Sequence, residues 1–402
     1  MIDRAFVLTM SSLISMLGLS LSGMQPAAAV SQAATSAGEV STESDAAEPP
    51  PAETSPAETS PAEPPRPRNP DALEGTNPFG EANPLSKVLP SFVHAPVPAE
   101  GETYELSEEG ELAKANYEAA KQELVEATIE MRRIHTLYMN AEEQSTEALE
   151  RFRESRSETR LIFDKVFDAA YQYLLAAPDE EAVQYLLTML DHRYKASDYS
   201  ESSLVASALL IDLGFNSKFL YHSAARASIC TGEFETARRV YAELKPEDLE
   251  DTDRRLAFQL DEIQEQWLVE QERRAEDAKA ELPRVKLKTT RGDIVLELFL
   301  EDAPSTVAHF IKLVEDGYYD GLDFYQVVDD LLALTGDETG SGSGNSGQFL
   351  IDEHERDGAR DAFRGSLAMA KLPKNDQGEF LEHSGSSQFA IFYTPLPGVS
   401  KV

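Results

Sequence analysis

Between Gly110 and Pro178 the chain contains neither glycine nor proline, and it is dense in Ala, Glu, Leu and Arg. Nothing in that stretch ends a helix, so long helices are the first commitment. Tyr117, Ala120, Leu124, Ala127, Met131, Ile134, Tyr138 and Ala141 recur at alternating spacings of three and four. That spacing predicts a long amphipathic helix whose apolar seam pairs with another helix, as in a coiled coil. The seam fades over Glu142 to Thr159, a charged segment read as solvated. It resumes with Leu161, Ile162, Val166, Phe167, Ala170 and Leu174.

After Pro178 the predicted helices shorten. Gly232-Glu-Phe234-Glu-Thr-Ala237-Arg-Arg-Val-Tyr241-Ala-Glu-Leu244, followed by Pro246, resembles the turn and second helix of a tetratricopeptide repeat. In such a unit glycine permits the tight turn, and Phe234, Ala237 and Tyr241 pack on a partner helix that carries Ala224 to Ala227. Asp179 to Leu190 and Ser202 to Leu213 are candidates for degenerate units. Arg254 to Ala280 reads as a last helix, charged along its length. The all-α region is therefore placed at 102–282, tetratricopeptide-like around 217–246.

The N-terminal part reads differently. Met1 to Ala29 has a single early arginine, an apolar run and the small residues Ala27, Ala28 and Ala29, the pattern of a secretory signal peptide cleaved after Ala29. The serines and glycines in the run favour cleavage over an uncleaved membrane anchor. Residues 30–101 are rich in Pro, Ala, Glu, Ser and Thr, with tandem Pro-Ala-Glu-Thr-Ser units from Pro51 to Ser60. That composition cannot bury enough apolar surface to offset chain entropy, so a disordered linker is expected. The expectation is an exported protein, periplasmic or extracellular.

Charge and cysteine content narrow the partners. There are 72 acidic and 36 basic residues, a formal net charge of -36. That balance argues against nucleic acid, which needs clustered Lys and Arg. One cysteine, Cys230, leaves no internal disulfide, and the seven histidines show no ligand spacing, so neither metal nor cofactor is expected.

The C-terminal third changes period. Val285, Leu287 and Thr289 alternate with lysines, and Ile294, Leu296 and Leu298 resume the alternation beyond Thr290 to Asp293, which predicts a β-hairpin. Asp302-Ala-Pro304 opens a helix whose Val307, Phe310, Ile311 and Val314 share a face, with Gly317 at its end. Gly342-Ser-Gly344-Asn-Ser-Gly347 matches a dinucleotide pattern only literally, because Gln348 to Ile351 reads as a strand where a helix would be required.

Gly317 to Val327, Thr335 to Asp337, Gly365 to Ala370 and Gly385 to Phe389, in that order, resemble the cyclophilins, a family of peptidylprolyl cis-trans isomerases. The resemblance covers 283–402 and implies an antiparallel β-barrel with a packed helix. It also implies an incomplete domain, because the chain ends at Val402 where cyclophilins continue. The activity it implies is rotation of Xaa-Pro bonds, whose resonance barrier is ~18–20 kcal/mol. Cyclophilins hold the proline ring in an apolar pocket and donate a hydrogen bond, from an arginine assisted by a glutamine, that favours the twisted amide.

Carried over position by position, the arginine's place is taken by Gln326. The pocket pair becomes Leu331 and Leu332, and the glutamine becomes Leu334. Ala370 keeps the substrate-lining alanine, Lys371 follows it, Gln388 is kept and Ala390 replaces a pocket phenylalanine. The apolar surface persists while the charged donor is gone, so weak catalysis is expected. The reading is an exported prolyl isomerase that assists folding and takes proline-containing polypeptides. The alternatives are a module that binds such segments without turnover, or a helical scaffold with a protein partner of its own.

Overall fold

The computed structural model describes residues 106–140, 145–356, 359–374 and 379–398. The expected leader (1–29) and linker (30–101) lie outside the described residues, as does Ala141 of the predicted seam.

Two long helices open the fold, α1 (Glu108–Asn140) and α2 (Thr146–Ala176). They run antiparallel: Tyr117 stacks on Tyr173 with ring centroids 5.9 Å apart, while Tyr138, near the far end of α1, stacks on Phe152 at 6.4 Å. Tyr117, Ala120, Leu124, Met131, Ile134 and Tyr138 are buried as the seam predicted, but Thr128 takes the inner position in place of Ala127. The exchange is local: the seam steps by four from Leu124 to Thr128 and is back in its predicted register at Met131. The segment read as solvated carries part of the seam in its described residues. Phe152, Ser155 and Thr159 are buried on α2, whereas Leu161, expected in the seam, is 67% exposed. The polar members fit because Thr159 donates to Ser155 O (2.7 Å) and Thr128 to Leu124 O (2.7 Å), so neither hydroxyl is stranded.

Shorter helices follow: α3 (Glu180–Lys195), α4 (Glu201–Asp212), α5 (Lys218–Thr231), α6 (Phe234–Glu243), α7 (Asp251–Phe258) and α8 (Leu260–Asp277). From Leu220 to Cys230 every residue of α5 is buried, as befits a helix enclosed by others. Gly232 ends it at φ 89°, and a Cβ there would lie 2.5 Å from the Trp267 indole nitrogen, so the glycine answers both the turn and the close approach. Phe234 and Ala237 are buried on α6 as expected. The predicted helix over 254–280 is divided at Gln259 (φ -95°, ψ 7°) into α7 and α8.

The remainder is β1 (Arg284–Thr289), β2 (Gly292–Glu297), α9 (Pro304–Glu315), β3 (Gln326–Val328), β4 (Leu332–Thr335), β5 (Leu367–Met369) and β6 (Phe389–Phe392). The hairpin β1–β2 pairs Val285 with Leu296 and Leu287 with Ile294, and Pro304 opens α9, both as predicted. The other strands form one antiparallel sheet in the order β3-β4-β6-β5. Among the described residues these sheets of two and four strands do not join into one barrel. Gln348 to Ile351 is not the predicted strand: its Leu350 N–H bonds Gly385 O (2.8 Å), and Phe349 and Ile351 face solvent. One backbone bond to a neighbouring loop does not make a ladder, and the segment stays a loop.

One face of the four-stranded sheet, with Phe389 and Ile391, packs against Leu296, Leu298, Val307 and Phe310 of the hairpin and α9. The helices close on the sheet's far end. Phe363 is buried among Ile229, Phe234, Leu256 and Trp267, and Arg255 donates to Pro395 O (2.7 Å) and Thr394 Oγ1 (2.8 Å).

Candidate functional site

The sheet register lines up most of the predicted site. Gln326 lies opposite Leu334, Leu334 opposite Ala390, and Ala390 opposite Ala368. Opposed residues of an antiparallel pair point to the same face. This row therefore lies on the face away from α9, where Ala390, Phe392, Leu332, Leu334, Ala368 and Leu396 form an apolar cluster. Gln326 stands exposed at its edge on β3.

The other predicted residues are less uniformly placed. Leu331 belongs to the β3–β4 turn, half-buried, with its carbonyl held by Tyr393 N–H (2.8 Å). Ala370 extends the β5–β6 ladder by donating to Gln388 O (2.8 Å). Lys371 is turned to Asp352 (2.9 Å), which also accepts from the His383 N–H (3.0 Å). Gln388 is occupied at both ends of its amide. Its oxygen accepts from Tyr325 (2.5 Å), and its nitrogen donates to Gly342 O (3.1 Å) and Gly344 O (2.6 Å).

The glycine-rich loop is wound round Asp337. This carboxylate accepts from Thr339 N (2.7 Å), Thr339 Oγ1 (2.8 Å) and Gly342 N (2.6 Å), and a Cβ on Gly344 would come within 1.9 Å of it. Loss of solvent works against the Asp337 charge, but these donors outweigh it and hold the carboxyl at about 2. Amides that could cradle a phosphate are thus spent on a fixed anion. A nucleotide reading of the loop fails on that geometry.

Two depressions lie elsewhere. An open one of 610 Å³ is lined by Leu313, Asp316, Tyr318 and Glu338, and one of 90 Å³ lies at the seam between α8 and Phe363. Neither is lined by a predicted site residue; the candidate surface is the apolar face itself, with Ala390 and Phe392 buried, Leu332, Leu334 and Ala368 half-buried and the Gln326 amide exposed at its rim. Among the described residues no group of three or more His, Cys, Asp or Glu is arranged to hold a metal ion.

Sequence reasoning missed the polar node behind the β3–β4 turn. Arg226 of α5 is fully buried and binds Asp253 through two bonds (2.9 and 2.7 Å), Glu250 (2.6 Å), Tyr199 (2.9 Å) and Asp330 (2.8 Å). Burial works against the Asp253 charge, yet Arg226 and His222 outweigh it and bring that carboxyl to about 2. A signal was present: an arginine inside the small, apolar run Ser223 to Cys230 can be buried only with an acid partner.

Similarity to known proteins is confined to the C-terminal region. The family model for cyclophilin type peptidyl-prolyl cis-trans isomerase/CLD matches residues 284–401. A peptidyl-prolyl cis-trans isomerase of Synechococcus elongatus is 38% identical over 116 residues, 29% of this chain and 72% of that one. One of Helicobacter pylori is 33% identical over 122 residues, 30% of this chain and 69% of that one. Against longer relatives the match is partial. It spans 21% of a Streptococcus pyogenes protein at 40% identity, and 18% of the peptidyl-prolyl cis-trans isomerase-like 2 of Emericella nidulans, also at 40%. Through its C-terminal region, the chain belongs to the cyclophilin-type peptidyl-prolyl cis-trans isomerase family.

Proposed function

We propose that the protein binds Xaa-Pro segments of polypeptides on the apolar face of its four-stranded sheet and isomerises them slowly, assisting protein folding outside the cytoplasm. The observation that carries this reading is the register itself, which puts Gln326, Leu334 and Ala390 in one row beside Leu332. A proline ring can lie on that surface while the Gln326 amide donates to the twisted prolyl amide. Such a donor is neutral and shorter than arginine, and losing a donor aimed at a transition state costs about a hundred- to a thousandfold in rate. Leu331, Ala370 and Lys371 would border the bound chain, with Gln388 bracing the loop beside it.

A second reading, binding without turnover, is supported by the same rim. Leu334, directly opposite Gln326, has no polar atom with which to orient it. Export rests on the pattern of Met1 to Ala29, with 30–101 as tether. Exposed Leu112, Ile129, Leu137 and Met139 of α1 are the positions at which the helical region would meet a protein partner.

The test is refolding of a client limited by a native cis-proline, with the full chain added in catalytic amount. Acceleration that Leu334→Lys abolishes supports isomerisation. Retention of the client without acceleration supports the second reading, and neither effect refutes both.

A further inference from the structure

The β3–β4 hairpin that carries Gln326, Leu331, Leu332 and Leu334 is short, and β3 is an edge strand with one neighbour. Little within the sheet fixes such a hairpin. Its tip, however, is gripped from outside. Asp330 sits there at φ 59°, a left-handed conformation that costs a non-glycine residue energy and persists where its surroundings enforce it.

Each polar atom of Asp330 is engaged. The carboxylate accepts from Arg226 (2.8 Å), from Ser197 Oγ (2.9 Å) and from the Tyr199 hydroxyl. The backbone N–H donates to Ser197 Oγ (3.0 Å), and the carbonyl accepts from Thr394 Oγ1 (2.6 Å), which Arg255 holds in turn. Ser197, facing it from the α3–α4 connection, is itself left-handed at φ 53°. Arg226 is a fixed post, because its other donors are locked on Asp253 and Glu250. Two unfavourable backbone conformations and a buried cation thus meet at the joint between the helices and the turn of the candidate site.

We infer that Asp330 is a positioning residue for the prolyl-binding face, clamped by Ser197, Tyr199 and Arg226, so that the helical region is part of the site's frame and not a detachable carrier. The inference rests on the proposed use of that face. Releasing Asp330 lets the tip move, and Gln326 and Leu332 move with it. Misplacement of a donor by about 1 Å can cost as much as a hundredfold in rate.

The experiment uses the full chain with Asp330→Ala, Asp330→Asn, Ser197→Ala and, as control, Lys218→Ala, which breaks only an exposed ion pair with Asp248. Two readouts are taken: kcat and KM on an Ala-Pro peptide by exchange NMR, and amide hydrogen exchange of residues 326–335 against that of α1 and α2. Asp330→Ala is expected to lower kcat about tenfold while KM changes less than about threefold. It is also expected to speed exchange of the hairpin amides about tenfold with α1 and α2 unchanged. Ser197→Ala should show the same pattern more weakly and serves if Asp330→Ala fails to fold. Asp330→Asn, which tolerates the left-handed backbone and keeps an acceptor, should recover most of the loss, and Lys218→Ala should match wild type. Wild-type hairpin exchange in Asp330→Ala and Ser197→Ala overturns the inference. So does faster exchange spread evenly through helices and sheet, which marks a merely structural joint. If the wild-type chain turns over no peptide, the proposed activity fails, and hairpin exchange alone still decides the positioning.

Discussion

Gly336→Ala tests the packing that sets the site's register. Gly336 follows β4 directly and holds φ 89°. A Cβ there would stand 2.2 Å from Ser387 O and 2.9 Å from Gln388 Cα, both backbone atoms of the segment leading into β6. Ser387 O cannot swing aside cheaply, because the Tyr319 hydroxyl donates to it (3.0 Å), and the Ser387 hydroxyl in turn donates to Gly336 O (2.8 Å). The left-handed conformation costs an L-residue about 1–2 kcal/mol. Forcing two backbones apart adds about 1–3 kcal/mol, by analogy with overpacked cores. The sum is a destabilisation of about 2–5 kcal/mol. Urea unfolding followed by amide exchange of β4 and β6 reads it directly, and loosening of this contact should displace Leu334 from Ala390. A loss below about 0.5 kcal/mol, the range of ordinary surface substitutions, refutes the reasoning.

Three further outcomes are expected. Gln326→Arg should raise isomerisation about tenfold or more, and Gln326→Arg with Leu334→Gln should exceed it, because the paired position would then orient the donor; exchange kinetics on one peptide check both. Phe363→Ala empties a site packed on Trp267 (ring centroids 5.2 Å apart) and should cost about 3–5 kcal/mol, read from the denaturation midpoint and from a shift in the emission of the single tryptophan. Acid should weaken the fold in two steps. His135, His192 and His309 have values that burial lowers below the ordinary 6.5, so the unfolded chain takes up protons first as pH falls through that value. Asp253 and Asp337, at about 2 when folded against 3.8, contribute stability that is full above about pH 4 and disappears as pH falls toward 2. Urea midpoints from pH 7 to pH 2 that stay level contradict this.

What was legible in the sequence was local or periodic. Alternation at Val285 to Leu298 gave the hairpin, Pro304 marked the start of α9, and Gly232 before Phe234 marked a helix turn, because each depends on residues a few positions apart. The row Gln326–Leu334–Ala390 was reachable by family resemblance, since it follows from strand alternation once the strands are placed. Charge density misled at Phe152, Ser155 and Thr159, where charged neighbours occupy the outer face of a helix whose inner face is buried. Leu161 shows the reverse, an apolar side chain on the outer face. Apolar content misled at Gln348 to Ile351, which finds no strand to pair with. Burial of Arg226 was legible, but the identity of its acid partners was not, because Asp253 and Asp330 lie 27 and 104 residues from it and only the packing of helices on the sheet joins them.

The most direct test of the account is exchange NMR on the full chain with a short Ala-Pro peptide, following cis and trans peptide signals together with the protein's methyl signals. The account predicts cis–trans exchange faster than in buffer, by a modest factor that Gln326→Arg increases. It also predicts shifts concentrated at Leu332, Leu334 and Ala390. Exchange at the uncatalysed rate, tens to hundreds of seconds, with no movement of those methyl signals would contradict it.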